Sequence, residues 1–195
     1  VNRRREEWDD LDPAARARRL GSAGAPALGV TIRTDESGEV LARSNVVLES
    51  YWEQPAESAQ ALEGGWFHTG DGGSFENGYL TISDRKKDVI ISGGENVSSI
   101  EVEDAIASHP NVREVAVVGT PDEKWGEAVT ALVVTDGTPL TAEDVVAHCR
   151  ERLAGYKCPK RVEFRDELPR TATGKLQKFK LRADFWADKE RSIQG

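Results

Sequence analysis

The run Asp84-Arg85-Lys86-Lys87-Asp88 is the feature that most limits how this chain can fold. Five consecutive charged side chains cannot enter a core without partners, so the chain has to surface there. The patterns on its two sides also differ. Before it, short alternating stretches are separated by turn residues; after it, apolar runs alternate with segments of helical period. A change of period across a charged patch marks a boundary between folding units. The sequence therefore predicts a first segment over residues 1–83, a link at 84–88 and a second segment over 89–195.

The first segment reads as β-rich. "RRREEWDDLDPAARARRL", at residues 3–20, predicts one or two short surface helices. "VTIRTD" and "VLARS" alternate on either side of "ESGE" and predict a hairpin. "YWEQPAESAQALEGG" reads as a short helix stopped by Gly64-Gly65. The Asn77-Gly78 pair, between Phe75 and "YLTI", is a two-residue hairpin turn, because both residues tolerate the positive φ it needs. A β subdomain of this size with open edges calls for a partner to cover them.

The second segment predicts strand-helix-strand-strand-helix-strand-helix, a compact α+β domain with its own core. "VIISGGENV" reads as one buried strand ending in glycines. "SSIEVEDAIASHP" is a helix capped by Ser98 or Ser99, with Ile100, Val102 and Ile106 inward. "NVREVAVVGTPD" and "EAVTALVVTD" are strands joined through "EKWG". "TAEDVVAHCRERLAGY" is a helix with Thr141 and Asp144 as a capping pair. "RVEFRDELPR" supplies the last strand and "LQKFKLRADFWADKE" the last helix.

Composition narrows the function classes. The chain has 195 residues, 31% charged and 38% hydrophobic, with a formal charge of -8, which describes a soluble globular protein with an acidic surface. No basic excess is present to neutralise nucleic-acid phosphates, so nucleic acid is not expected as a partner. No apolar run reaches membrane-spanning length, and no apolar signal core follows the first arginines, so a cytoplasmic location is expected. Cys149 and Cys158 are nine apart, and His68, His109 and His148 are scattered, a pattern that predicts neither a disulfide nor a metal site.

Lys175 sits in "PRTATGK" at residues 169–175, directly after a glycine. A nucleotide phosphate loop is excluded, because position 169 is Pro rather than Gly and Leu176 follows the lysine where Ser or Thr is required. Two further stretches stand out, "GWFHTGD" at 65–71 and "DRKKDVIISGGENVSSIEVE" at 84–103. Each alone has a structural reading: aromatic core filler, a turn cap, a solvated link, a strand end. In this order and at these separations the three resemble the carboxy-terminal part of the adenylate-forming family, which includes acyl-CoA synthetases, luciferases and peptide-synthetase adenylation domains.

The resemblance covers most of the chain. It implies a small carboxy-terminal lid domain, with a mixed sheet and about three helices, preceded by the β-rich end of a large amino-terminal domain. Members activate a carboxylic acid with ATP to an acyl-adenylate and pass the acyl group to a thiol, commonly that of coenzyme A. By resemblance Lys175 is the catalytic cation. Asp71 accepts the ribose hydroxyls, Arg85 lies on the nucleotide side, and Lys87 is the hinge about which the small domain rotates. Gly93, Gly94 and Glu95 line the coenzyme A path, Trp125 and Tyr156 contact the coenzyme, and Lys157 and Lys160 lie near its phosphates. A carboxylate suits paired hydroxyls, and a cation placed on phosphate oxygens acts where charge accumulates in the transition state.

The chain also departs from the family. Nothing matches the upstream glycine- and hydroxyl-rich phosphate loop, the acyl pocket or the magnesium-binding Glu, and the hairpin at "DESGEVLARSNVV" is short. The expectation is a carboxy-terminal piece of an acyl-CoA ligase, incomplete and inactive alone, whose partners are the missing amino-terminal domain and a small carboxylic acid, with fatty acids first. Mg2+ is expected in the whole enzyme, with its ligand outside these residues. The alternatives are a peptide-synthetase domain, and a non-catalytic lid module that binds nucleotide or coenzyme A or complements a separate chain.

Overall fold

The computed structural model describes residues 2 and 5–193. The chain divides into two compact units, residues 1–87 and 88–195.

In the first unit, a 3-10 turn at Glu6–Trp8 precedes helix α1 (Pro13–Leu20). Asp12 caps α1 by accepting from the Ala15 amide, and Pro13 occupies the first helical position, where its missing N–H costs nothing. Strands β1 (Thr31–Thr34) and β2 (Glu39–Arg43) follow, then helix α2 (Pro55–Ala61), β3 (Phe67–Glu76) and β4 (Tyr79–Arg85). They form an antiparallel sheet in sequence order, β1-β2-β3-β4. Local chemistry sets both hairpins. The Asp35 carboxylate accepts from the amides of Ser37 and Glu39 and so closes the β1–β2 turn. Asn77 (φ 52°) and Gly78 (φ 80°) make the two-residue β3–β4 turn. Val40, Leu41 and Leu80 are buried, and Trp8 is covered beside Tyr79, ring centroids 5.7 Å apart.

The second unit contains β5 (Ile90–Ser92), β6 (Glu95–Val97), α3 (Ser99–Ala107), β7 (Val112–Asp122), β8 (Gly126–Thr135), α4 (Ala142–Arg150), β9 (Arg161–Phe164) and α5 (Lys178–Ile193). The sheet order is β6-β5-β8-β7, with β9 added parallel to β8 and every other pair antiparallel. This is the mixed sheet with three helices. One expectation is corrected: "VIISGGENV" is not a single strand but the β5–β6 hairpin, with Ser92 opposite Glu95. Gly93 (φ 63°) and Gly94 (φ 85°) form its two-residue turn, a backbone path that side-chain-bearing residues resist.

The apolar runs in β7 and β8 bury both faces of the sheet. Val117, Val129, Ala131 and Val133 pack with Val102 and Ile106 of α3 and Val145 and Cys149 of α4. Residues of opposite parity, Ala116, Val118, Leu132 and Val134, pack with Leu168 and with Leu181 of α5. The unit is thus a three-layer sandwich, and period-2 geometry sends alternate residues of one strand into two separate cores. Ser98 caps α3, and Thr141 with Asp144 forms a complete capping box on α4. No helix among the described residues is long and apolar enough to cross a membrane.

Candidate functional site

The first unit brings Asp71 and Arg85 together. They are register partners on β3 and β4, and the Arg85 Nε lies 3.2 Å from an Asp71 carboxylate oxygen. Their side chains stay 32% and 45% exposed, so a polar ligand can reach both. Asp71 follows a bulge within β3, where the pairing with β2 shifts register between Glu39 and Leu41; there Gly70 has φ 71° and the Thr69 hydroxyl donates to the Val40 carbonyl. The buried carboxylate of Glu39, on the paired strand β2, bonds to that bulge. One of its oxygens accepts from the Gly70 amide at 2.9 Å. The other accepts from the Lys86 ammonium at 2.8 Å, with His68 Nδ1 at 3.3 Å. Burial pushes the Glu39 carboxyl up, but the bonds from Lys86, Gly70 and His68 prevail and hold it below its ordinary value. Sequence reasoning missed Glu39, although it shares strand parity with buried Leu41. Lys87 closes this unit, in a 3-10 turn spanning Lys86–Asp88.

In the second unit the lysine loop is a braced hairpin. Arg170 and Leu176 form a β-bridge, the Thr171 amide donates to the Lys175 carbonyl at 2.8 Å, and the Lys175 amide donates to the Thr171 hydroxyl at 3.0 Å. Gly174 (φ 85°) makes the turn. Arg170 bonds the Gly174 carbonyl at 2.8 Å and the Glu114 carboxylate at 2.6 Å, which moors the loop to β7. The Lys175 side chain is exposed, and its ammonium has no hydrogen-bond or ion-pair partner among the described residues.

Gly93, Trp125 and Lys160 converge elsewhere on the same unit. The Gly93 amide donates to the Trp125 carbonyl, and a β-carbon on Gly93 would lie 2.8 Å from the indole. The ammonium groups of Lys124 and Lys160 stand 4.9 Å and 5.5 Å from that ring. Lys160 also donates to the Gly155 carbonyl, which brings in the loop that carries half-exposed Tyr156. Glu95 is exposed next to Gly94. Lys157 binds both carboxylate oxygens of Glu101, a bond that raises its pKa, and its ammonium also stands 5.8 Å from the Tyr156 ring. The lysine loop is moored at Glu114 and Trp125 follows Asp122, so these two anchor points lie eight residues, about 25 Å, apart along β7. They occupy opposite ends of one hairpin.

Residues 101–175 match the family described as the AMP-binding enzyme C-terminal domain. Relatives extend the match to both units. A long-chain-fatty-acid–CoA ligase of Mycobacterium tuberculosis is 45% identical over 180 residues, 87% of this chain and 36% of the relative. The chain belongs to the adenylate-forming, AMP-binding enzymes. A 4-hydroxybutyrate–CoA ligase of Metallosphaera sedula is 44% identical over 96% of the chain and 37% of its own length. Among solved adenylate-forming enzymes, ATP-bound MatB from Rhodopseudomonas palustris superposes with a TM-score of 0.80 at 37% identity, over 85% of this chain and 36% of that one. The amide bond synthetase McbA from Marinactinospora thermotolerans gives 0.79 at 42% identity, over 90% and 39%. The chain spans little more than a third of the length of the relatives it matches, and in such enzymes that portion is carboxy-terminal.

Proposed function

We propose that this chain is the carboxy-terminal portion of an AMP-forming ligase, which activates a carboxylic acid with ATP and transfers the acyl group to coenzyme A. The observation that carries the reading is the lysine loop: its two arms are bonded to each other, yet the Lys175 ammonium is exposed and has no partner among the described residues. An unpaired cation on an ordered support suits an anion that accumulates charge only in the transition state. Asp71 and Arg85 would take the ribose and phosphate side of the nucleotide, and Lys87 would act as the hinge. Gly93, Gly94, Glu95, Trp125, Lys160 and Tyr156 would receive the coenzyme arm and its nucleotide. The spacing of about 25 Å along β7 supports presenting the two groups in turn, one for each half-reaction.

The acid is set outside these residues. Relatives 42–45% identical to this chain are named for a long-chain fatty acid, for 4-hydroxybutyrate and for feruloyl-CoA, so this portion stays similar while the acid varies. Fatty acids are the first class to assay, and exposed Val46 and Trp52 of the first unit are surface for the rest of the enzyme to cover.

The test is Lys175→Ala in the complete protein that carries this segment. Carboxylate-dependent ATP–pyrophosphate exchange is expected to fall by roughly a hundredfold or more, the scale of losing one transition-state charge partner. Thioester formation from preformed acyl-adenylate is expected to stay within a few-fold. Equal losses in both half-reactions would overturn the role of Lys175.

A further inference from the structure

We propose that Glu39 is a positioning residue: its single buried carboxylate ties the β3 bulge that presents Asp71 to Lys86, the residue before the hinge position. The inference rests on the proposed function, because only a nucleotide-binding Asp71 needs the bulge before it held. Glu39 is 6% exposed, an uncommon place for a carboxylate, and each of its oxygens is used. One holds the Gly70 amide, directly before Asp71, at a residue whose φ of 71° departs from extended strand geometry where the β2–β3 register shifts. The other holds Lys86, directly after Arg85. Asp71 and Arg85 therefore face each other across β3 and β4 while their neighbours are clamped to one side chain from a third strand.

The arrangement predicts a particular division of effects. Gly70 has no β-carbon through which packing could fix its position, so the hydrogen bond to Glu39 sets where its peptide points. Loosening it lets the Asp71 carboxylate swing from its place, which weakens ribose binding without touching the group that acts on the phosphate. On the other side, Lys86 fixes the first-unit end of the hinge, so that backbone change is confined to the residue after it.

The experiment compares Glu39→Gln, Lys86→Gln and the double variant in the complete protein carrying this segment. It reads the KM for ATP and the kcat of pyrophosphate exchange, and tryptic cleavage at Arg85 and Lys87, the two sites that every variant keeps. For Glu39→Gln the KM for ATP is expected to rise roughly tenfold, the scale of leaving a buried partner unmet, with kcat at saturating ATP within about threefold. Lys86→Gln, a half-exposed position that leaves the core intact, is expected to shift KM the same way by less. The double variant should be no worse than Glu39→Gln, the signature of a shared interaction. Tryptic cleavage of the Arg85–Lys87 segment should quicken in Glu39→Gln.

A wild-type protein with no carboxylate-dependent exchange would overturn the functional reading, and with it the nucleotide role of Glu39, whereas cleavage would still decide whether Glu39 tethers the segment. An active wild type whose KM for ATP is unchanged in both single variants would overturn the positioning role alone. A Glu39→Gln protein that fails to fold leaves the decision to Lys86→Gln, whose unchanged KM and cleavage would overturn the tether.

Discussion

Replacing Gly93 by Ala tests whether the β5–β6 turn and Trp125 are built against each other. Two costs apply. The backbone at Gly93 has φ 63°, and an L side chain there costs about 1–2 kcal/mol. The added β-carbon would also lie 2.8 Å from Cε3 and 3.1 Å from Cζ3 of the indole, so the ring must move, and overpacking of this kind costs about 1–3 kcal/mol more. Gly94 is the internal control: it has φ 85°, and a β-carbon there meets nothing within 4 Å. Gly94→Ala should therefore lose about 1–2 kcal/mol from strain alone, and Gly93→Ala about 2–5 kcal/mol. Urea denaturation followed by far-ultraviolet circular dichroism gives both losses. Tryptophan emission and quenching report whether the indole has been displaced from Gly93 and from the ammonium groups of Lys124 and Lys160. Equal destabilisation by the two substitutions, with emission unchanged, would refute the packing argument.

Two further outcomes follow from geometry on the second unit. Thr141→Ala removes the hydroxyl that accepts from the Asp144 amide and breaks the capping box, so it should cost about 1 kcal/mol in urea denaturation while leaving β7 and β8 protected from hydrogen exchange. Burial raises the Cys149 thiol from its ordinary 9.0 to about 11, helped by neighbouring Cys158. Because the folded value lies above the unfolded one, this contribution to stability is complete below pH 9 and is lost as pH rises towards 11. Iodoacetamide at pH 8 should accordingly label Cys149 only after unfolding, and native-state labelling at the unfolded rate would show the thiol to be accessible.

Signals that lie within a few residues were legible in the sequence. Asn77-Gly78, the Ser98 and Thr141 caps and the apolar runs of β7 and β8 each specify a local conformation, and together they give the α+β reading. The β5–β6 hairpin was missed because β6 has three residues, too few to show alternation beside "GG". Glu39 was missed for a different reason. Its partners His68, Gly70 and Lys86 lie 29, 31 and 47 residues away, and only the strand register brings them together. The same limit applies to Lys157: its commitment to Glu101 spans 56 residues and no local pattern announces it. The three stretches that carry the resemblance could be found without register, since each is contiguous.

The braced hairpin under Lys175 bears on the entropy of binding. Backbone freedom costs about 1–2 kcal/mol per residue to remove, and here Thr171 and Lys175 surrender theirs when the chain folds, through bonds made within the loop and through Arg170 to β7. A cation on an unbraced loop would have to meet that cost again each time an anion arrived. For Lys175 the only disorder left to remove is in its own four-carbon side chain, about 2 kcal/mol at most. An anion meeting Lys175 would therefore find a support already shaped by the loop's own bonds and, through Arg170, by its bond to β7.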